Sequence, residues 1–204
     1  MRSIKALVAA SLAALLTSGI VSAQVDAPVG GGGRVDVPEA GYGITLPDDW
    51  VSVRPSAADL DTLMSALGEV EPELVELVAA QLGSGISMSL IGLAPVELGQ
   101  VAESCNVVSA PHGGMSAELI LAQNLAFMNG MDLTSGPEVR ELELAAGAVP
   151  QVDYGMEIAG ADLVFSAWFY VDDEQLHVLT CTGAERAVDT WGEIAASFEL
   201  AAPA

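Results

Sequence analysis

The sequence predicts an α+β domain: an α/β/α sandwich around a central, mainly antiparallel sheet. Three observations carry that expectation. Four strand-like segments follow one another between residues 138 and 181, joined by short turns, which is the pattern of antiparallel neighbours. Stretches with helical apolar spacing stand before, between and after the strands. The segment DLVFSAWFYV, residues 162–171, does not alternate cleanly, as expected of a strand covered on both faces.

In chain order, Gln24 to residue 40 reads as a flexible linker. Gly30 to Gly33 stand in a row with Pro28 and Pro38 on either side, and little apolar surface offsets the cost of ordering them. The four glycines lack the Gly-Lys-Ser/Thr of a phosphate loop, so a spacer is expected there. The domain proper is expected over residues 41–200. Tyr42 to Leu46 reads as a short strand, Pro47-Asp48-Asp49 as a turn and Trp50 to Val53 as a second strand. Ser56 then opens a helix whose Leu60, Leu63, Met64 and Leu67 recur at helical spacing. Pro72 opens another, closed by Gly83. Gly85 to Ala94 and Glu103 to Ala110 are strand-like, and Ser116 to Met128 is a third helix with Leu121, Leu125 and Met128 on one face. The remaining strands are Glu138 to Leu144, Gln151 to Ile158, Asp162 to Val171 and Gln175 to Cys181, the last two joined around Asp172-Asp173-Glu174. A final helix over Ala184 to Ala196 spaces Ala187, Trp191, Ile194 and Ala195 along one side, with Phe198 beyond.

The first 23 residues give an address. Arg2 and Lys5 precede an apolar run from Ala6 to Leu16, and Val21-Ser22-Ala23 supplies small residues before Gln24. This is the pattern of a secretory signal peptide, with cleavage expected after Ala23. Ser11, Thr17, Ser18 and Gly19 weaken the rival reading as an uncleaved anchor, and no cysteine marks a lipid attachment site. The expected compartment is the periplasm, the cell envelope or the medium.

Charge narrows the partners. The 204 residues hold 28 Asp and Glu against 6 Lys and Arg. Beyond Ala23 only Arg34, Arg54, Arg140 and Arg186 remain against all 28 carboxylates, a net charge of −24. Nucleic acid and anionic membrane surfaces both select basic footprints and are not expected as partners. Most of the acids must sit in water repelling one another, so stability is expected to rise with salt from low ionic strength.

Several segments resemble the PsbP-like fold shared by the photosystem protein PsbP, a Ran-binding nuclear-import factor and the LpqN-type secreted lipoproteins of mycobacteria. They are GYGITLPDDW at 41–50, SCNVV at 104–108, LHVLTC at 176–181 and WGEIAASFEL at 191–200. Their order and spacing cover most of residues 41–200. The resemblance implies a sandwich around an antiparallel sheet and a role as adaptor, assembly or binding protein, with no shared catalytic residues to carry over. The missing lipobox cysteine departs from the LpqN pattern, and neither a photosynthetic nor a nuclear role follows for a chain with a secretory leader.

Few residues offer chemistry. Cys105 and Cys181 are candidates for a disulfide in an exported protein, closing a long loop; two buried thiols are the alternative. His112 lies in PHGGM, similar to the glycine-rich oxyanion loop of some esterases, but the chain has no Gly-x-Ser-x-Gly elbow. His177 is expected to face away from its neighbours Leu176 and Val178. Strand rise puts it too far from Cys181, on the same face, for proton transfer. Both histidines are expected at the surface or in satisfied structural roles. The acid groups Asp48-Asp49, Asp59 with Asp61, and Asp172-Asp173-Glu174 read as solvated turns. Calcium at 172–174 is the rival there, without the D-x-[DN]-x-[DN]-G string that a calcium loop needs. Trp50, Trp168, Trp191, Tyr154 and Tyr170 read as core. The expectation is an exported, non-enzymatic binding or accessory module without catalytic residues, cofactor or metal. It would contact a protein partner or a small apolar ligand. A secreted hydrolase with an unrecognised site and a calcium-tuned envelope protein are the alternatives.

Overall fold

The computed structural model describes residues 29–54, 87–95, 103–158 and 160–201. The expected helices after Ser56 and Pro72, and the acids Asp59 and Asp61, lie outside these residues. In chain order the elements are β1 (Val29–Val37), a 3-10 turn (Pro38–Ala40), β2 (Tyr42–Val53), β3 (Ser87–Leu93), β4 (Ser104–Pro111), α1 (Ala117–Met128), β5 (Leu133–Leu144), β6 (Gly147–Ile158), β7 (Ala161–Val171), β8 (Gln175–Gly183), α2 (Val188–Ala196) and β9 (Glu199–Leu200). They build a nine-stranded sheet in the order β1-β2-β3-β4-β8-β7-β6-β5, with β9 paired to β2. All the described ladders are antiparallel. The α+β class and the antiparallel sheet therefore match the expectation, and the last four long strands lie side by side.

Alternation sorts the strand residues onto two faces. Val108, Val152, Tyr154, Phe165 and Val178 pack on the first face with Ile120 and Met128 of α1. Ile44, Leu90, Val107, Trp168 and Leu179 pack on the second with Trp191, Ile194 and Ala195 of α2, and with Phe198. Strand β7 feeds both faces, Phe165, Ala167 and Phe169 to the first and Trp168 and Tyr170 to the second, which explains its unbroken apolar run. Each large side chain buried this way contributes roughly 2–3 kcal/mol. Helix α1 begins where the sequence placed it, with the Ser116 hydroxyl accepting from the Leu119 amide at 3.4 Å. Helix α2 starts four residues later than expected, after Ala187, with no side-chain cap.

Two expectations at the start of the domain are corrected. The glycine-rich stretch within residues 24–40 is not a flexible linker throughout, because Val29–Val37 forms the edge strand β1 paired with β2. Its backbone groups are satisfied by the ladder, and Val35 and Val37 alternate into the second core, which offsets the ordering cost. Nor are there two short strands with a turn at Pro47-Asp48-Asp49; β2 runs unbroken from Tyr42 to Val53. The register steps from Gly31↔Val51 to Gly33↔Leu46, so residues 47–50 bulge out opposite Gly32. A Cβ on Gly32 would run into the Pro47 carbonyl, and Gly33 has φ +89°. The glycines therefore serve a close backbone approach rather than slack.

Candidate functional site

Strand register creates a polar row on the second face. Tyr170 of β7 stands opposite His177 of β8, His177 opposite Ser109 of β4, and Ser109 opposite Ser87 of β3. The Ser109 Oγ lies 2.8 Å from His177 Nδ1, although the two residues are 68 apart in sequence. On the other side of the ring, Nε2 lies 3.4 Å from Asp172 Oδ2 in the β7–β8 turn. The second oxygen of Asp172 accepts the backbone amides of Glu174 at 2.8 Å and Gln175 at 2.5 Å. The turn that closes the hairpin therefore also aims a carboxylate at the imidazole.

Electrostatics fix the proton positions in this chain of groups. Burial raises the Asp172 carboxyl, but the amides of Gln175 and Glu174, joined by His177, outweigh burial and hold its pKa below the ordinary value. Burial pushes His177 below its ordinary pKa, and Asp172 opposes this only in part. The ring is thus neutral at pH 7, with Nε2–H donating to the ionised Asp172. Nδ1 is then an acceptor, and the Ser109 hydroxyl donates to it. Aromatic groups seal the ring. Tyr42 meets it edge-on with centroids 5.5 Å apart, and Phe198 stacks on Tyr42 at 4.9 Å and on Tyr170 at 4.1 Å. The Tyr170 hydroxyl donates to the Ala195 carbonyl at 2.7 Å, and burial raises the pKa of both Tyr42 and Tyr170.

A second short chain lies alongside. The Ser89 hydroxyl donates to the Val107 carbonyl at 3.3 Å, so in its 2.8 Å contact with Tyr42 the phenol is the donor. Ser87, Ser89, Ser109 and Asp172 all line an open cleft of about 1030 Å³. Glu39, Asp173, Glu174 and Arg54 line it as well. Arg54 is turned to the Asp36 carbonyl and lies 4.0 Å from Glu39.

The opposite end of the same face holds a different polar cluster. Asp153, 1% exposed, accepts Gln151 Nε2 at 2.8 Å and Ser166 Oγ at 2.6 Å on one oxygen. Its other oxygen faces Arg186 at 3.1 Å and Arg140 at 3.8 Å. The Cys105–Cys181 disulfide lies in the same register row as Asp153 and Ser166, on the two strands that carry Ser109 and His177, its residues directly opposite in the β4–β8 ladder with Cα atoms 4.0 Å apart.

The sequence singled out some of these residues and missed others. Cys105 and Cys181 are bonded as expected. The five aromatics named as core are buried, Trp50, Tyr154, Trp168, Tyr170 and Trp191 alike. His177 does face away from Leu176 and Val178, which join the first core. His112 departs from expectation: it is neither at the surface nor satisfied, being buried with both ring nitrogens lacking a hydrogen-bond partner. The Asp172 carboxylate of the rival calcium site is taken up by its turn amides and His177. Among the described residues, no His, Cys, Asp and Glu gather as a metal site, and no helix is long and apolar enough to cross a membrane. Ser109 and Asp153 were not singled out. Both read as ordinary polar positions in strands, and only register and distant arginines give them partners.

No protein-family model and no curated protein matches the chain. Solved structures do. LpqN of Mycobacterium tuberculosis, described as involved in cell envelope biogenesis, matches with 8% identity and a TM-score of 0.54 over 90% of this chain and 95% of that one. A Bacteroides thetaiotaomicron protein matches with 9% identity and a TM-score of 0.50 over 83% of this chain; the chain spans about half, 48%, of that protein's length. A Pseudomonas aeruginosa protein of unknown function matches with 15% identity and a TM-score of 0.46 over 59% of this chain and 85% of that one. At such identities the likeness to LpqN and to the Bacteroides protein is one of fold.

Proposed function

We propose that the protein is an exported binding or accessory module built as a PsbP-like α/β/α sandwich, and that the cleft beside Ser109 is its ligand site. The observation that carries the reading is the cleft itself, where side chains from β3, β4 and the β7–β8 turn converge on one open space. The leader-like residues 1–23 and a disulfide suited to an oxidising compartment support export. The fold likeness to LpqN supports a place in the envelope.

One arrangement favours the hydrolase alternative: serine, histidine and aspartate stand in one chain of contacts. Two features weigh against it. The ring is reversed relative to the usual relay, with Nδ1 toward serine and Nε2 toward aspartate. Ser109 also lies in an interior strand paired on both sides, followed by Ala110 in the β8 ladder and then Pro111, so no free backbone amides stand beside it to cradle an oxyanion.

The test is a thermal-shift screen of the secreted protein against cations, anions, sugars and apolar compounds, beside an esterase, glycosidase and peptidase panel. Ser87 is exposed and lines the cleft, so Ser87→Trp obstructs it without touching the core. At least one ligand class should raise the melting temperature of the wild type and not of Ser87→Trp. Shifts identical in the two proteins, no shift at all, or turnover abolished by Ser109→Ala would overturn the reading.

A further inference from the structure

Hydrogen-bond direction in the cleft specifies its ligand more closely. Both inner serines have spent their protons on the protein: Ser109 donates to His177 Nδ1 and Ser89 to the Val107 carbonyl. Ser109 keeps two lone pairs. Ser89, which receives the Tyr42 phenol, keeps one. These oxygens offer acceptors to whatever enters. Around them stand the carboxylates of Glu39, Asp173 and Glu174, with Asp172 ionised below. The one cation among the lining residues, Arg54, is already turned to the Asp36 carbonyl and Glu39.

A cavity rich in negative charge, whose inner serines offer only acceptors and whose neutral donors are confined to Ser87 and Gln175, favours a ligand that brings donors and positive charge. We infer that the cleft binds an organic ammonium or guanidinium group. This inference rests on the binding-module reading and gives the ligand its chemistry, in place of the small apolar ligand expected from the sequence. Ammonium hydrogens would be shared between the serine lone pairs and the rim carboxylates. An anion would meet several carboxylates against the single guanidinium of Arg54, and a purely apolar ligand would strip water from the serines without replacing their hydrogen bonds. A free polyamine and a lysine side chain of a peptide share the required chemistry.

The main competing explanation is diffuse attraction of any cation to a strongly acidic protein. Charge-matched variants separate the two. Titration calorimetry of the full secreted chain with spermidine, and separately with a capped trilysine peptide, should give one site per protein. Asp173→Asn/Glu174→Gln should weaken binding roughly tenfold. Glu141→Gln/Glu143→Gln removes the same charge from exposed positions of β5, at the far edge of the sheet, and should leave affinity within about twofold. Ser109→Ala, with its fold checked by circular dichroism, should also weaken binding roughly tenfold. Tighter binding of spermidine marks a free amine as the ligand, and tighter binding of trilysine marks a basic peptide. Equal losses in the two charge-removing variants, full affinity in Ser109→Ala, or displacement of the amine by millimolar calcium would overturn the inference. If amines fail while a neutral or anionic ligand binds in a manner blocked by Ser87→Trp, this inference falls and the binding-module reading stands.

Discussion

Two buried ionisable groups on the same face of the sheet are held by opposite means. At the β6 end, Asp153 is surrounded by donors, with Gln151 and Ser166 on one oxygen and Arg186 and Arg140 facing the other. Those two arginines are half of the four cations beyond residue 23, in a chain with 28 carboxylates to satisfy. At the β4–β8 end, His177 has no net charge to neutralise. It is kept uncharged by burial and placed by one hydroxyl and one carboxylate. A charge that stays buried needs opposite charge and several hydrogen bonds, whereas a neutral imidazole needs only one donor and one acceptor. The first arrangement is closed and ties an outer strand to distant parts of the chain. The second is frugal with charge and leaves serine and carboxylate oxygens open to a cleft.

The largest effect expected from disturbing this comparison comes from the disulfide, which sits in the register row of Asp153 on the strands of Ser109 and His177. The Cys105–Cys181 bond closes a 76-residue separation, for which chain entropy gives about 4 kcal/mol of stabilisation. Cys105→Ala/Cys181→Ala should lower the melting temperature by roughly 10 °C. Because the bond joins the strands that carry Ser109 and His177, hydrogen exchange should accelerate more at residues 107–110 than in β6. Uniform acceleration would mean that the two ends unfold as one unit and that their separation is only geometric. Next comes Asp153→Asn, which keeps the shape and removes the charge beneath Arg186 and Arg140. It should cost roughly 3 kcal/mol, read as a shifted urea midpoint at unchanged slope. A loss under about 1 kcal/mol would show that the arginines are solvated and the cluster incidental.

Much of this architecture is legible from residue patterns, because they report which face a side chain takes. DLVFSAWFYV announced a strand covered on both sides, and the hairpin at 172–174 and the helix start at Ser116 were equally local signals. What local patterns do not report is register. Ser109 and His177 meet only because β4 and β8 pair with Cys105 opposite Cys181, a relation set across most of the domain. Asp153 was hidden for a related reason. Gln151 and Asp153 alternate with Val152 and Tyr154 exactly as a solvent-facing side would, and it takes Arg186, far along the chain, to bury them. Strand β1 was missed because glycine composition signals flexibility, whereas the informative feature was the alternation of Val35 and Val37 beyond the glycines.

A smaller effect probes the neutral end. Ser109→Ala removes the donor to His177 Nδ1 and leaves that nitrogen buried without a partner, at a cost of about 1 kcal/mol in urea unfolding. No measurable cost would mean that water or a rotated ring replaces the hydroxyl, and that its direction is not fixed by the histidine.

The smallest effect carries the sharpest sign. The folded pKa of His177 lies below its unfolded value of 6.5, burial being the cause and Asp172 opposing it. Below about pH 6.5 the unfolded chain therefore takes up a proton that the folded chain refuses. The stability present at neutral pH is lost as pH falls toward the folded pKa, with a slope from this group of at most about 1.4 kcal/mol per pH unit. Asp172 contributes in a separate window, since its lowered pKa matters only below its ordinary value of 3.8. Urea midpoints of the wild type and of His177→Gln, measured from pH 7.5 to pH 5, isolate the histidine from the other acids. The wild type should lose stability faster than the variant on acidification. Parallel curves would show that His177 titrates alike in both states. A wild type that gains on the variant as pH falls would mean that the ring is held as an imidazolium against Asp172. In that case the two ends of the face would be two versions of one ion-pair design, and Ser109 would no longer be the donor that leaves its lone pairs to the cleft.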